Sequence, residues 1–264
     1  MEEQQLAGGV ANAGSVVRLG NHVLRPSNPY SGAVHAFLRA LRDAGFEGAS
    51  EPVSIDGDGR ERLVFIEGEV PTPPYTGWAQ SDDALASIAV LMARLHRSAR
   101  SFDPAPYAWS AEMADPAGGQ VVCHNDVCLE NVVFRDGTAV GLLDFDFAAP
   151  GRPVFDVASF ARMCVPVDDD VNARRLGWHD ADRTARLHLV ADSYGLDARE
   201  RRALVDVLDG QIATGGEFVR RRVEAGDPGF VAMWNEMGGA ARFDRRRRWW
   251  ADNRQGFLDA VNLA

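Results

Sequence analysis

His124, Asp126 and Asn131 stand in an H-x-D-x-x-x-x-N frame within the stretch from Val121 to Phe134, and Asp144 and Asp146 follow at the end of the apolar run that begins at Gly141. These residue types at this spacing suit phosphoryl transfer. That reaction needs an in-line nucleophile and neutralised negative charge, and little covalent help from the protein. Asp126 can orient a hydroxyl and take its proton late. Asn131 lies five residues on, so one tight loop brings its amide oxygen toward a metal ion. Asp144 offers the hard anionic oxygen that Mg²⁺ prefers. Asp146, two residues away, either meets a second ion or supports the first carboxylate. His124 reads as a brace for the loop rather than as an acid or base.

The elements that must hold these groups are short strands. Val121 to Cys123 and Val132 to Phe134 are apolar runs around the polar loop, Arg135 to Thr138 carries an Asp-Gly turn, and Ala139 to Phe145 is the next strand. The polar residues thus sit on a loop and at strand ends, where a rigid scaffold can aim them.

Upstream, residues 6 to 25 read as short strands, with Val16 to Leu19 and His22 to Arg25 paired across the Gly20-Asn21 turn. Ala33, Val34, Phe37, Leu38 and Leu41 recur at helical spacing, and Gly45 stops the helix. Glu51 to Ile55 and Arg62 to Ile66 flank Asp56 to Gly59 as a second hairpin. Glu67 to Pro74 is a Pro/Gly-rich connector and the best domain boundary. After it Leu85, Ile88, Ala89, Met92 and Leu95 make one apolar helix face, with His96 expected to pack and cap near its end.

Beyond residue 156 helices are expected over Val157 to Cys164, Asp182 to Tyr194, Ala198 to Arg222 and Pro228 to the end, with breaks at Gly195, Gly226 and Gly238-Gly239. Asp168 to Asp170 reads as a solvated loop, with a patch for substrate amines as the functional alternative; Glu217, Glu236 and Asp244 are lesser candidates for the same role. Arg245 to Trp250 reads as a terminal amphipathic helix whose arginines are solvated or paired with acids. The expected fold class is therefore α+β: a small N-terminal β-sheet lobe with one helix (residues 1–70) and a larger, mainly helical C-terminal lobe (residues 71–264).

Composition excludes several classes. The chain has 264 residues, 46% hydrophobic and 25% charged, as in an ordinary globular protein. No apolar run approaches the ~20 residues of a membrane span, and the acidic start, Met1 to Gln5, is not that of a signal peptide. Cytoplasmic residence is the expectation. Cys123, Cys128 and Cys164 form no C-x-x-C and read as buried thiols. A net charge of −10 disfavours nucleic acid and is compatible with a cationic substrate. All 28 basic residues are arginine, so no lysine can hold nucleotide phosphates.

The stretches CHNDVCLEN (Cys123 to Asn131) and LLDFDFAAPGRPVFDVA (Leu142 to Ala158) resemble the aminoglycoside phosphotransferase/choline kinase family, which has a protein-kinase-like fold. Further segments fall in the expected order: VLRP from Val23, AVHAFLRAL from Ala33, AGF from Ala44, GRERLVFIEGE from Gly59 and LMARLH from Leu91. The likeness runs over about residues 6 to 250 and is strongest in the middle. It implies that Asp126 is the catalytic base, that Asn131 and Asp144 bind Mg²⁺, and that Asp156 braces the catalytic loop, a role compatible with helix N-capping. It further implies that Gly8 to Gly14 covers phosphate and that backbone groups of Phe65, Ile66, Glu67 and Gly68 face the purine.

The chain departs from the family at one point. The strand-lysine position is Arg25, and the following helix, from about Ser31 to Ala44, carries no glutamate to partner it; His35 stands at that place. Arginine forks onto phosphate but is not equivalent to lysine. Either Arg25 contacts phosphate without a carboxylate tether, or nucleotide binding is degraded. The expected activity is transfer of the γ-phosphate of ATP or GTP, with Mg²⁺, to a hydroxyl of a small molecule: an aminoglycoside-like or other antibiotic, an amino alcohol or a sugar. The rival is a non-catalytic nucleotide- or ligand-binding protein that confers immunity by sequestration. A protein kinase is disfavoured, because Pro150 to Pro153 follows Asp146 too soon for an activation loop and no A-P-E segment appears.

Overall fold

The computed structural model describes residues 3–6 and 14–262. The proposed phosphate-covering stretch lies outside the described residues apart from Gly14. The N-terminal part is a five-stranded antiparallel sheet in the order β1-β2-β3-β5-β4, formed by β1 (Gln4–Gln5), β2 (Val17–Leu19), β3 (His22–Pro26), β4 (Pro52–Ile55) and β5 (Arg60–Val64). Helix α1 (Ser31–Asp43) crosses from β3 to β4. It buries Val34, Phe37, Leu38 and Leu41, the 3.6-residue stripe of the sequence, and ends where Gly45 turns left-handed at φ 81°.

Glu69 in the connector exchanges two 2.8 Å backbone hydrogen bonds with Phe134. Gly68, at φ 151°, permits this approach, because a Cβ there would stand 2.5 Å from the Phe134 carbonyl oxygen. Helix α2 (Asp82–Ala99) starts at Ser81, whose side chain accepts from the Ala84 N–H, and buries the whole expected face from Leu85 to Leu95.

Two short ribbons follow. β6 (Val121–Cys123) pairs with β9 (Ala149–Gly151), and β7 (Val132–Arg135) pairs with β8 (Thr138–Leu142). The rest is helical: α3 (Pro153–Cys164), α4 (Asp170–Arg175), α5 (Arg183–Tyr194), α6 (Ala198–Thr214), α7 (Glu217–Glu224), α8 (Pro228–Glu236) and α9 (Ala240–Val261). This is the α+β arrangement expected, a small sheet with one helix ahead of a larger helical region. One contiguous core joins them, running from Phe37 on α1 through Met92, Phe145 and Phe160 to Phe257 on α9. Among the described residues no helix is long and apolar enough to cross a membrane.

Three expectations fail. The helix expected over Ala198 to Arg222 breaks at Gly215-Gly216, because Phe243 of α9 packs there and leaves no room for a Cβ on Gly216, which would come within 2.9 Å of its ring. Asp168 and Asp169 are not solvated. Both are buried; Asp169 N-caps α4 and Asp168 pairs with Arg242. Within Arg245 to Trp250, Arg246 is fully buried with no ion pair among the described residues, because α9 packs against both α5 and α6 rather than lying on the surface.

Candidate active site

The loop from His124 to Asn131 leaves β6, and the β7–β8 ribbon returns the chain to it. The return is fixed at its base, where the Leu143 N–H donates to the Asn131 carbonyl at 2.8 Å. His124 is completely buried beneath the loop. Its Nε2 donates to the Leu143 carbonyl at 2.8 Å, and its Nδ1 accepts from the Asp126 N–H at 3.2 Å. Only the neutral Nε2–H tautomer satisfies both bonds. His124 therefore ties the Asp126 backbone to the strand end that carries Asp144, as a brace should.

Asp156, at the start of α3, is also fully buried. One of its oxygens accepts from the His124 N–H at 2.7 Å and the other from the Asn125 N–H at 2.8 Å. His96 Nε2 lies 3.0 Å from the first oxygen, and His96 Nδ1 lies 2.7 Å from the Tyr194 hydroxyl. Burial alone would raise the Asp156 pKa, but the His96 bond and the neighbouring His124 groups hold it below the ordinary value. Cys123 shares this nook with His96 and Asp156. Both His96 nitrogens are already committed, so the cluster serves as a brace. Asn125 adopts the left-handed conformation at φ 66°, and its side-chain amide donates to the Phe147 carbonyl. The loop is thus pinned from α2, α3 and the Asp144–Phe147 segment together.

Asn131 Nδ2 donates to the Asp126 carbonyl at 2.9 Å and to Asp126 Oδ2 at 3.2 Å. This orients Asp126 and leaves Asn131 Oδ1 without a hydrogen bond among the described residues. Burial pushes the Asp126 carboxyl up to about 6; the Asp144 charge adds to the rise, while the Arg162 charge opposes it. Asp144 sits in a left-handed conformation, φ 61° and ψ 68°, that turns its side chain out of the strand. Its Oδ2 has no hydrogen bond among the described residues, and its side chain is 27% exposed. Free amide and carboxylate oxygens make a donor set that fits a hard divalent cation.

Arg25 completes the group from the other lobe. It reaches Asp144 Oδ1 at 2.8 Å through Nη1 and Asp146 Oδ1 at 2.5 Å through Nη2. Its Nε lies 2.6 Å from Glu61 Oε1, an ionic contact whose angle does not make a hydrogen bond. Burial would lower the Arg25 pKa, but Asp144, Asp146 and Glu61 outweigh it and raise it. Burial pushes Asp146 up, with Arg25 opposing.

The expectation that Arg25 lacks a carboxylate tether is therefore corrected. The tether comes from the neighbouring strand, because Glu61 stands directly opposite Arg25 in the β3–β5 register. His35 of α1 closes the set, with Nε2 2.8 Å from Glu61 Oε2. Glu61 was missed because its signal is a register, which appears only once two strands 36 residues apart are paired.

The expected purine-facing segment is partly occupied. The Phe65 N–H donates to the Asn21 carbonyl, and the Glu67 carbonyl accepts from Arg135 Nε. The Glu67 side chain pairs with Arg18, whose guanidinium lies 3.8 Å from the Phe65 ring centroid. Gly68 is used by the approach to Phe134. The backbone N–H and C=O of Ile66 have no partner among the described residues.

Comparison with known proteins shows the family and the fold. A family model described as "Phosphotransferase enzyme family" matches residues 107–204. A trifolitoxin immunity protein from Rhizobium leguminosarum bv. trifolii is 34% identical over 201 residues, covering 74% of this chain and 75% of that protein. A choline/ethanolamine kinase family protein from Mesorhizobium loti superposes with a TM-score of 0.64 at 18% identity, over 98% of this chain and 92% of that one. The GDP complex of aminoglycoside 2'-phosphotransferase-IIIa gives 0.58 at 14% identity, over 96% and 93%. The fold is protein-kinase-like, as the sequence resemblance implied.

Proposed function

Since the chain belongs to the phosphotransferase enzyme family, we propose that it moves the γ-phosphate of ATP or GTP to a hydroxyl of a small molecule. The observation that carries this reading is the Asn131 amide locked onto Asp126, its oxygen left free among the described residues, with Leu143, the residue before Asp144, bonded to the Asn131 carbonyl. Residues 1–70 act as the nucleotide lobe and residues 71–264 as the catalytic and acceptor lobe. The magnesium–nucleotide complex, when bound, supplies the phosphoryl group and neutralises its charge.

The chain's own residues do the rest. Asp126 orients the acceptor hydroxyl and takes its proton as the oxygen–phosphorus bond forms and the γ-phosphorus parts from the bridging oxygen, which leaves with the nucleoside diphosphate. Asn131 and Asp144 hold the metal, and Asp146 supports them. Arg25 turns toward phosphate oxygens once Asp144 is otherwise engaged, and Glu61 keeps it from leaving. Ile66 offers its N–H and C=O to the purine. Burial keeps the Asp126 pKa near neutrality, where a late proton acceptor works best.

A second reading is supported by the relative named for immunity: sequestration of a toxic ligand without chemistry. One experiment separates them. Radiolabelled γ-phosphate from ATP with Mg²⁺ is supplied with a metabolite pool or a candidate antibiotic, and labelled product is sought from the native protein and from Asp126→Asn. The transferase reading expects product from the native protein alone. If no product forms and Asp126→Asn protects cells as well as the native protein does, the transferase reading fails.

A further inference from the structure

The helical lobe holds a group of arginines that the transfer chemistry does not use. Arg242 and Arg246 on α9 are 6% and 1% exposed. Nε and Nη1 of Arg242, and Nε and Nη2 of Arg246, are buried without a hydrogen-bond partner among the described residues. Arg242 Nη2 pairs with Asp168, and Arg245 Nε lies 3.4 Å from Asp169 Oδ1. Arg162 of α3 is half-buried, and its charge acts on Asp168, Arg242 and Asp126.

Four guanidinium groups, Arg162, Arg242, Arg245 and Arg246, share the three carboxylates of Asp168, Asp169 and Asp126. One buried carboxylate oxygen, Asp169 Oδ2, is also unpartnered, against four guanidinium nitrogens. Burial and the charges of Arg162 and Arg242 push Arg246 down to about 9. A buried cation lacking a counter-ion is costly to the empty protein, and an incoming oxyanion relieves that cost.

Aromatic rings of α7, α8 and α9 adjoin this cluster, and one of them reaches Phe147 beside Asp146. Phe147, next to Asp146, meets Phe218 of α7 edge-on at 5.5 Å, and Phe218 meets Phe230 of α8 at 5.4 Å. Phe243 carries the Arg242 and Arg246 guanidinium groups over its ring and stacks on Trp234.

Building on the phosphotransferase reading, we propose that the acceptor is an anionic molecule with an apolar body, whose carboxylate or phosphate seats on Arg242 and Arg246 while its hydroxyl meets Asp126. The negative net charge of the chain, which by itself suits a cationic acceptor, is overruled by this local excess of arginine.

The test uses the full chain and thermal shift with three probes: 3-(4-hydroxyphenyl)propionate, its uncharged amide, and phenyl phosphate. Streptomycin and choline serve as cationic probes. The expected result is stabilisation by one or both anions and none by the amide. Arg242→Gln and Arg246→Met should each weaken anion binding about tenfold or more, the weight of a lost charge-assisted hydrogen bond. Arg246→Met should also melt no lower than the native protein without ligand, since it removes an unpaired buried charge. Binding of the carboxylate alone or of the phosphate alone identifies which oxyanion the site takes. Equal shifts with acid and amide, larger shifts with the cationic probes, no shift with any probe, or anion binding that survives both substitutions each overturns the proposal. If anions bind through Arg242 and Arg246 but no phosphate is transferred to any hydroxyl, the transferase reading fails while the oxyanion site stands.

Discussion

Replacing Asp126 by Asn should end transfer and make the folded protein more stable at neutral pH. Burial lifts the Asp126 pKa from 3.8 to about 6. At about 1.4 kcal/mol per unit, ionising it in the folded state costs about 3 kcal/mol, or about 2 after allowing for the water that reaches a half-buried side chain. The sign follows from proton binding. Between about pH 4 and pH 6 the folded protein binds more protons at this site than the unfolded chain, so stability falls as pH rises through that window. Asparagine has no proton to lose and can still accept from Asn131. Urea unfolding of both proteins at about pH 7.5 and about pH 4.5 reads the difference, provided the slopes agree. The variant should be about 2 kcal/mol more stable at the higher pH, and the gain should shrink toward zero at the lower. A variant that is less stable at neutral pH, or whose gain does not change with pH, would refute the assignment of a strained carboxylate. Transfer by the native protein should fade as pH drops below about 6, where Asp126 becomes protonated.

Arg25→Met leaves Glu61, Asp144 and Asp146 facing one another without their shared cation, and should lower stability by about 3–5 kcal/mol in denaturant titrations; nucleotide affinity, read by calorimetry, should fall with it. Asp156→Ala strips acceptors from the His124 and Asn125 N–H groups, at about 1–3 kcal/mol each; hydrogen exchange should show the loop from His124 to Asn131 losing protection first. Gly68→Ala places a Cβ 2.5 Å from the Phe134 carbonyl oxygen and should cost about 1–3 kcal/mol in melting studies, with the Glu69–Phe134 hydrogen bonds lost.

The candidate site could be read along the sequence because its parts are close in the chain. His124, Asp126 and Asn131 fit within one loop, and Asp144 returns on the next hairpin. Helices α1 and α2 were legible because each buries a single stripe. What escaped depends on pairing between distant segments. Glu61 partners Arg25 only through strand register. Asp168 looked like part of an acidic surface run, and its partner Arg242 lies 74 residues later. The arginines of α9 looked like a solvated face because its polar spacing matches that of a surface helix, although α5 and α6 cover it from two sides. Periodicity reports which face of a helix is apolar and says nothing about a buried face that is charged.

The Arg25–Glu61 pair also bears on how such a protein can be switched off. Where the partner of the phosphate-holding cation rides on a mobile helix, swinging that helix disarms the site, and regulation can act at a distance. Here both members sit on adjacent strands, and α1 contributes only the His35 contact to Glu61. Moving α1 would cost one hydrogen bond and leave the cation tethered. Disarming the site would instead require β3 and β5 to slip by a residue, which would turn Glu61 to the opposite face of the sheet and break the ladder. On the transferase reading the site is thus built to be armed whenever the chain is folded, so control over its output would fall to synthesis, degradation and substrate supply.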